Sequence, residues 1–194
     1  MFERYASSYI GSGARVLEIG PDTIPSAYRS HSGAEVACWD TLDFARSEPL
    51  TYVTEDGYSF PIETESYDVV ISGQVIEHIP RPWRWLPEVA RVTKRGGIVV
   101  TIAPVTWPYH EAPVDCWRVY PEGLRALYEE AGLDVLLAEW GSVELEPLIR
   151  RLPKRIPHPH LQLQRLSTTL LLLSEHTRWK NKGSYDTVAV GRKI

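Results

Sequence analysis

The sequence predicts an α/β protein with a doubly wound, largely parallel sheet. Short apolar runs, which are typical of buried strands, alternate with amphipathic helical segments through most of the 194 residues. Several of these runs end on an acidic residue or a glycine turn. The content of 43% hydrophobic and 24% charged residues suits one domain with a sizeable core. Alternation of this kind implies βαβ units with right-handed crossovers.

The first strand is predicted at residues 14–20, after a short helix at residues 2–10. Its apolar side chains are typical of a strand buried on both faces, and a Gly-Pro-Asp turn at residues 20–22 ends it. Glu18 lies inside this run, where an unpaired charge would be costly to bury. A carboxylate is useful there if the strand ends at a ligand crevice, as strands of open α/β sheets do.

The next elements are a brief helix and three strands. The first of these strands ends on Asp40, and the second is followed by Asp56-Gly57. The helix is predicted at residues 24–31, and the strands at residues 35–40, 51–54 and 67–72.

The second half continues the alternation. A helix at residues 83–94 has apolar side chains at helical spacing, and Gly96-Gly97 after it predicts a C-cap. A helix at residues 121–131 has proline in its first turn and Gly132 just past its end. The remaining strands are predicted at residues 98–103, 133–140 and 185–191.

Two stretches resemble motifs of the class I S-adenosylmethionine-dependent methyltransferases, in particular small-molecule, type 11-like members. Residues 14–22 resemble the first motif, in which an acid and a glycine-rich turn close a strand, although Asp22 and Ile24 stand where many members have glycine. Residues 68–79 resemble the fourth-strand motif, which runs into a loop ending Glu-His. The resemblance implies one Rossmann-like domain over residues 1–194, with a seven-stranded, mostly parallel sheet, an antiparallel last strand and S-adenosylmethionine as cofactor.

An acidic residue is expected to bind the cofactor ribose. Asp40 follows Gly20 by 20 residues, the spacing at which nucleotide-binding α/β folds place an acid for the ribose hydroxyls. Asp43 is the alternative. By the resemblance, Asp56 would accept a hydrogen bond from the adenine amino group beside the small Gly57, although an ordinary Asp-Gly turn also explains this pair.

The resemblance further implies that residues 72–74 lie along the methionine part of the cofactor. The full set of predicted cofactor residues is Glu18, Gly20, Pro21, Asp22, Asp40, Thr41, Asp56, Gly57, Ser72, Gly73 and Gln74.

The catalytic residues are expected in the loop at residues 103–118, which follows a strand end and is too polar and proline-rich to be buried. Its pattern His-x-x-Pro-x-Asp-x-x-Arg is similar to one in small methyltransferases of glycan and natural-product pathways. His110 could remove a hydroxyl proton, Asp115 could orient it, and Arg118 could hold an acidic substrate group or brace the loop. His78 is the second candidate base. The structural alternatives are a loop held by its own salt bridge and a packed loop histidine.

A divalent metal ion held by His110 with Asp115 or Glu111 is a further alternative, since such ions assist some O-methyltransferases. These residues do not form a clear metal-binding pattern.

Several function classes are disfavoured. Residues 72–75 read Ser-Gly-Gln-Val rather than the Asn/Asp-Pro-Pro-Tyr/Phe of base amino-methyltransferases, and a net charge of −4 argues against a nucleic-acid partner. A nicotinamide enzyme would show a G-x-G-x-x-G turn or a Tyr-x-x-x-Lys pair, and the sequence has neither. Together with the loop pattern at residues 110–118, the resemblance implies methylation of a small-molecule or sugar hydroxyl.

The segment at residues 147–183 interrupts the alternation. It carries eight basic residues and one acidic residue, a net +7, so the rest of the chain carries −11. It is either a solvated basic face with a core helix at residues 161–179, or a lid or docking surface for an anionic partner. A second hypothesis is therefore a degenerate, non-catalytic scaffold that binds a partner through this segment. Residues 161–173 could also pair two subunits in a homodimer.

The expected location is the cytoplasm. Cys38 and Cys116 form no metal or disulfide pattern, the N-terminus begins no signal peptide, and the longest apolar run is too short to span a bilayer.

Overall fold

The structure, a computed structural model, describes residues 2–44, 49–106, 109–110, 113–141 and 186–194. Within these residues the strands are β1 (Arg15–Ile19), β2 (Cys38–Asp43), β3 (Tyr52–Val53), β4 (Tyr67–Gly73), β5 (Thr93–Pro104), β6 (Leu133–Gly141) and β7 (Asp186–Lys193). The α-helices are α1 (Phe2–Tyr5), α2 (Ala27–Ser32), α3 (Pro82–Val92) and α4 (Pro121–Glu130), and 3₁₀ turns lie at Ser7–Tyr9 and Ile76–His78.

The strands form a seven-stranded sheet in the order β3-β2-β1-β4-β5-β7-β6. Strands β1 to β5 run parallel to one another, whereas β7 runs antiparallel to both β5 and β6. The predicted seven-stranded, mostly parallel sheet with an antiparallel last strand is confirmed. The strand order reverses at β1, which lies between β2 and β4, and ligands of open α/β sheets bind at such a point.

Apolar side chains cover both faces of the central strands. On one face Leu17 of β1 belongs to a core that includes Trp85 of α3 and Leu124 of α4. On the other face Val16 packs in a second core with Phe2 of α1. Burial on both faces explains why these strands appear in the sequence as nearly continuous apolar runs.

Strand β2 lies three residues later than the predicted 35–40. It pairs with β1 in parallel from Arg15 opposite Cys38, and the Gly20 amide donates to the Leu42 carbonyl at 2.9 Å. The strand therefore runs to Asp43 because it follows β1 as far as the glycine turn.

Helix α3 ends at Val92, two residues before the predicted end. Gly96 and Gly97 do not cap this helix, and they lie within β5, where the register with β4 shifts. Gly96 has φ +75°, and a Cβ atom on Gly97 would lie 2.8 Å from the Lys94 carbonyl oxygen. The glycine pair therefore allows an irregularity in the strand.

Strands β6 and β7 form an antiparallel pair that begins with Gly141 opposite Asp186. The basic segment at residues 147–183 and the predicted helix at residues 161–179 lie outside the described residues. Among the residues that are described, no helix has the length and apolarity needed to cross a membrane.

Candidate active site

A pocket of about 210 Å³ opens at the carboxyl ends of β1 and β2. Its walls include Ile19, Gly20, Leu42, Asp43, Gly57 and Gln74. These residues come from the ends of β1 and β2 and from the turns that follow β1, β3 and β4, and His78 follows β4 in the same wall. This is the edge of the sheet, next to the reversal in strand order, where the sequence predicts a ligand crevice.

Gly20 forms the floor of this pocket, as predicted for a glycine turn. Its φ is +69°, and a Cβ atom there would lie 2.4 Å from Cγ2 of Val75. Only glycine allows both this backbone conformation and this close approach. Pro21 and Asp22 follow Gly20, and neither is in the pocket wall. The Asp22 carboxylate instead accepts hydrogen bonds from the Thr23 and Ala27 amides.

Glu18 lies behind the pocket. Its side chain is buried, and its Oε2 accepts hydrogen bonds from the Ser26 hydroxyl at 2.5 Å and the Trp39 indole at 2.7 Å. Desolvation by burial raises the pKa of this carboxyl. Glu18 therefore ties β1 to β2 and to the start of α2, rather than lining the pocket as predicted.

Asp40 does not lie at the end of β2, which corrects the sequence prediction. Its carboxylate accepts a hydrogen bond from the Tyr67 hydroxyl at 2.8 Å, away from the pocket. Thr41 is also held within the sheet, where it exchanges two hydrogen bonds of 3.1 Å with Thr51. Asp43 is the acid at the strand end and in the pocket wall. The sequence alternative Asp43 thus occupies the position expected for Asp40.

The turn after β3 contributes Gly57 but not Asp56. The Asp56 carboxylate accepts hydrogen bonds from the Tyr58 and Ser59 amides at 2.8 and 2.9 Å, and these bonds hold its pKa below the ordinary value. This is the Asp-Gly turn of the alternative interpretation. Gly57 has φ +67°, and a Cβ atom there would lie 2.1 Å from the ring of Phe44.

Of the three residues at the end of β4 that are predicted to contact the methionine part of the cofactor, one lines the pocket and two do not. Ser72 is buried in the sheet, with its hydroxyl 3.2 Å from that of Thr101. Gly73 lies under Tyr28, whose hydroxyl would be 1.9 Å from an added Cβ atom. Gln74 alone lines the pocket, with φ +57° and its side-chain amide donating to Asp186.

The predicted trio in the loop after β5 is in contact. The Asp115 carboxylate accepts hydrogen bonds from both terminal guanidinium nitrogens of Arg118, at 2.5 and 2.7 Å, and from the His110 amide at 2.9 Å. Its Oδ2 also lies 3.2 Å from Nδ1 of His110. Arg118 holds the pKa of the Asp115 carboxyl well below its usual range. Asp115 is thus a fixed anion against the histidine, and the loop is also braced by its own salt bridge.

The His110 ring stands perpendicular to that of His78, with 4.9 Å between ring centroids. Glu77 lies beside this pair, with only 1% of its side chain exposed. Its Oε1 is 3.8 Å from Nε2 of His78. Within the described residues, neither Glu77 carboxylate oxygen receives a hydrogen bond. Burial raises the pKa of this carboxyl.

Solved structures show the same fold. An S-adenosylmethionine-dependent methyltransferase from Archaeoglobus fulgidus superposes with a TM-score of 0.63 and 19% identity, over 99% of this chain and 91% of that one. A phosphoethanolamine N-methyltransferase 2 from Haemonchus contortus, in complex with phosphomonomethylethanolamine and S-adenosylhomocysteine, gives a TM-score of 0.61 and 16% identity. That match covers 99% of this chain and 51% of the other.

Residues 17–101 match the family described as "Methyltransferase domain". This region of the chain is therefore similar to methyltransferase domains, and the whole fold is that of S-adenosylmethionine-dependent methyltransferases. Uncharacterized methyltransferases from Mycobacteroides abscessus and Mycobacterium avium are 31% and 33% identical over 98 and 96 residues, or 50% of this chain in each case. The match covers 34% and 33% of those relatives, so the chain matches only about a third of their length.

Sequence reasoning missed two features of the methyltransferase domain. Phe44 and Phe60 line the pocket beside Gly57, but a phenylalanine gives no sequence signal that separates a pocket wall from a core. Glu77 was visible as half of a Glu-His pair, whereas its burial and its lack of donors depend on the fold.

Proposed function

We propose that the methyltransferase domain binds S-adenosylmethionine and transfers its methyl group to a hydroxyl of a small molecule or a sugar. The observation that carries the proposal is the pocket at the carboxyl ends of β1 and β2. Its glycines Gly20 and Gly57 leave no room for a side chain, and Asp43 lies between them in the wall. The matches to methyltransferases over residues 17–101 support the same cofactor.

The residues of the pocket suit each part of this cofactor. The Asp43 carboxylate can accept hydrogen bonds from two neighbouring ribose hydroxyls. The Phe44 ring packs against Gly57 and offers an apolar surface in the pocket wall that suits a planar base. Gly20 and the Gln74 amide suit the polar amino-acid end. S-adenosylmethionine, when bound, supplies a methyl group on a sulfonium whose leaving group is a neutral thioether.

The acceptor hydroxyl has to lose its proton as the new bond between oxygen and carbon forms. We assign His110 as the base that accepts this proton. Ionised Asp115 orients the imidazole and stabilises the positive charge that the ring acquires, and Arg118 keeps Asp115 ionised and in place. His78 is the alternative base, although its Nδ1 donates to the Val114 carbonyl and leaves only Nε2 for this role.

Exposed aromatic rings near this loop support a flat or sugar-like acceptor. Trp83 and Trp117 stack edge to face with 6.1 Å between centroids, and 46% and 36% of their surfaces are exposed. The Trp117 indole donates to the carbonyl of Ile79, a residue of the pocket wall. Aromatic rings of this kind offer an apolar face to a ligand together with a polar edge.

Calorimetric titration with S-adenosylhomocysteine tests the cofactor site. Micromolar binding corresponds to about −8 kcal/mol. Asp43→Ala should weaken binding by about 10-fold or more, because a hydrogen bond to a charged group contributes roughly 1.5–3 kcal/mol. Asp40→Ala is the matched control, and it should change the affinity by less than about 3-fold because Asp40 faces Tyr67.

Wild-type protein that binds no S-adenosylhomocysteine would contradict the proposal and would favour the scaffold hypothesis. If Asp40→Ala and Asp43→Ala lose the same affinity for S-adenosylhomocysteine, Asp43 is not the residue that binds the ribose.

The base is tested by turnover of a panel of sugars and phenols. His110→Ala should reduce turnover about 100-fold or more, which is the usual contribution of a general base. Its affinity for S-adenosylhomocysteine should stay near that of wild type. His31→Ala, an exposed histidine on α2, is the control and should leave turnover unchanged. Unchanged turnover in His110→Ala would exclude His110 from the role.

A further inference from the structure

We propose that Glu77, His78 and His110 form a binding site for a divalent first-row transition-metal cation of the zinc type. One ring nitrogen of each histidine and one Glu77 oxygen lie within 4.8 Å of one another. The site lies where His78 borders the pocket. Only the catalytic use of this cation rests on the proposed methyl transfer, since its binding can be measured without any acceptor.

The Glu77 carboxylate is the independent observation that points to a cation. It is 1% exposed, and among the described residues neither oxygen has a hydrogen bond of ordinary geometry. An ionised carboxylate without hydrogen bonds is costly to bury, so buried charges are generally paired or bind metal ions.

Both histidines are oriented as metal ligands usually are. Nδ1 of His78 lies 2.5 Å from the Val114 carbonyl oxygen, which fixes a proton on Nδ1 and the lone pair on Nε2. Nδ1 of His110 lies 3.2 Å from Oδ2 of Asp115. Histidine ligands generally donate their second ring nitrogen to a carbonyl or carboxylate in this way.

The ligand atoms have to move closer together to bind a cation, since they are up to 4.8 Å apart. A tetrahedral zinc ion with ligands at 2.0–2.2 Å separates those ligands by about 3.4 Å. Nε2 of His78 and Oε1 of Glu77 are 3.8 Å apart, so this pair needs to approach by a few tenths of an ångström. Two imidazoles and one carboxylate also match the donor set of catalytic zinc sites with an open fourth position, whereas Mg²⁺ and Ca²⁺ prefer oxygen ligands.

An acceptor hydroxyl at the open position would be acidified by the cation. Its proton would leave to water, and its oxygen would take the methyl group from the sulfonium as the carbon–sulfur bond breaks. In the metal-bound protein His110 is a ligand, and it can act as a base only in the protein without metal. The two roles exclude each other, because the lone pair that binds a cation cannot also take a proton.

The test uses the full chain without a polyhistidine tag, after dialysis against a chelator. Zn²⁺ binding is measured by calorimetry and Co²⁺ binding by its visible absorption. The starting protein carries His158→Ala with His160→Ala, because these two histidines, separated by one proline, could bind metal by themselves. We expect this control to bind one cation per chain. Adding Glu77→Gln, His78→Ala or His110→Ala should weaken binding more than 10-fold, and Asp115→Asn about 10-fold.

Loss of binding in the His158/His160 control, or equal binding in all of the variants, would overturn the proposal. S-adenosylhomocysteine is titrated into the same samples, so failure of the cofactor site appears separately from failure of the metal site. If chelator-treated protein binds the cofactor product and turns over as fast as Zn²⁺-loaded protein, the catalytic use of the cation is overturned while the proposed methyl transfer stands.

Discussion

Glu18 shows how a single buried carboxyl should make stability depend on pH. Burial raises its pKa above the ordinary value of 4.5, with Asp22 acting in the same direction and Arg29 opposing it. Well below that value the carboxyl is protonated in both states and has no effect on stability. As pH rises, the unfolded chain ionises first, so the folded state loses relative stability until the pH passes the folded pKa.

Glu18→Gln should therefore stabilise the protein relative to wild type at pH 8 and much less at pH 4. The glutamine oxygen can still accept the Ser26 and Trp39 hydrogen bonds. Urea denaturation from pH 4 to pH 8 measures the difference. Glu122→Gln, an exposed glutamate on α4, is the control and should show no such trend. A difference between Glu18→Gln and wild type that does not change with pH would contradict the prediction.

At the scale of single residues, the sequence identified residue types better than positions. Gly20 and Gly57 were assigned from turn patterns, and both lie in the pocket wall. Asp40 was preferred to Asp43 because of a 20-residue spacing, and only the pairing of β2 with β1 shows which acid reaches the strand end. Burial of Glu77 follows from packing between distant segments, which no local pattern records.

Helix α4 is held on the sheet by apolar packing and by the phenol group of Tyr128. Tyr128 is fully buried, and its hydroxyl donates to Thr101 of β5 at 2.8 Å. Tyr128→Phe should lower the free energy of unfolding by about 1 kcal/mol, the net contribution of one hydrogen bond. The affinity for S-adenosylhomocysteine should not change, because Tyr128 is outside the pocket wall.

Urea denaturation and calorimetry check both parts of this prediction. Tyr120→Phe is the matched control, since this tyrosine is 55% exposed and should lose no stability. A loss of stability in Tyr128→Phe no larger than in Tyr120→Phe would show that the buried hydrogen bond contributes nothing.

At the scale of elements, ends with local chemical signals were predicted well. The predicted helix at residues 121–131 corresponds to Pro121–Glu130, since proline and Gly132 mark its two ends. The start of β5 was not predicted, because the same Gly96-Gly97 pair suits a helix cap and an irregular strand. Pairing with β4 decides between the two, and that pairing joins residues about 30 positions apart.

At the scale of the molecule, the alternation of elements indicated a parallel sheet but not its strand order. The family resemblance implied the number of strands and the antiparallel last strand. The strand order itself was not predicted, since many doubly wound arrangements fit the same alternation. The contacts that fix it join strands far apart in the chain, such as Pro104 of β5 and Asp186 of β7.

The direct pairing of Gly141 with Asp186 predicts that the domain can fold without residues 142–185. Replacing them with Asn-Gly, which favours a two-residue hairpin turn, should preserve cooperative unfolding. Affinity for S-adenosylhomocysteine should stay within about 3-fold of wild type, because the described pocket wall includes none of these residues. Circular dichroism in urea and calorimetry provide the measurement.

A chain that stops at Gly141 is the control for this replacement, and it should lose cooperative unfolding because β7 is missing. Loss of cooperativity in the hairpin variant as well would contradict the prediction. Loss of turnover alone, with cofactor binding intact, would support the lid hypothesis for residues 147–183.

The position of β7 between β5 and β6 also affects how the sheet can form during translation. While it is being translated, β5 and β6 leave the ribosome before the strand that separates them exists. Their open edges then carry unpaired backbone groups, which favour association with other chains. The sheet can close only once Asp186–Lys193 has emerged, so we expect a chain arrested before that point to be bound by chaperones or degraded.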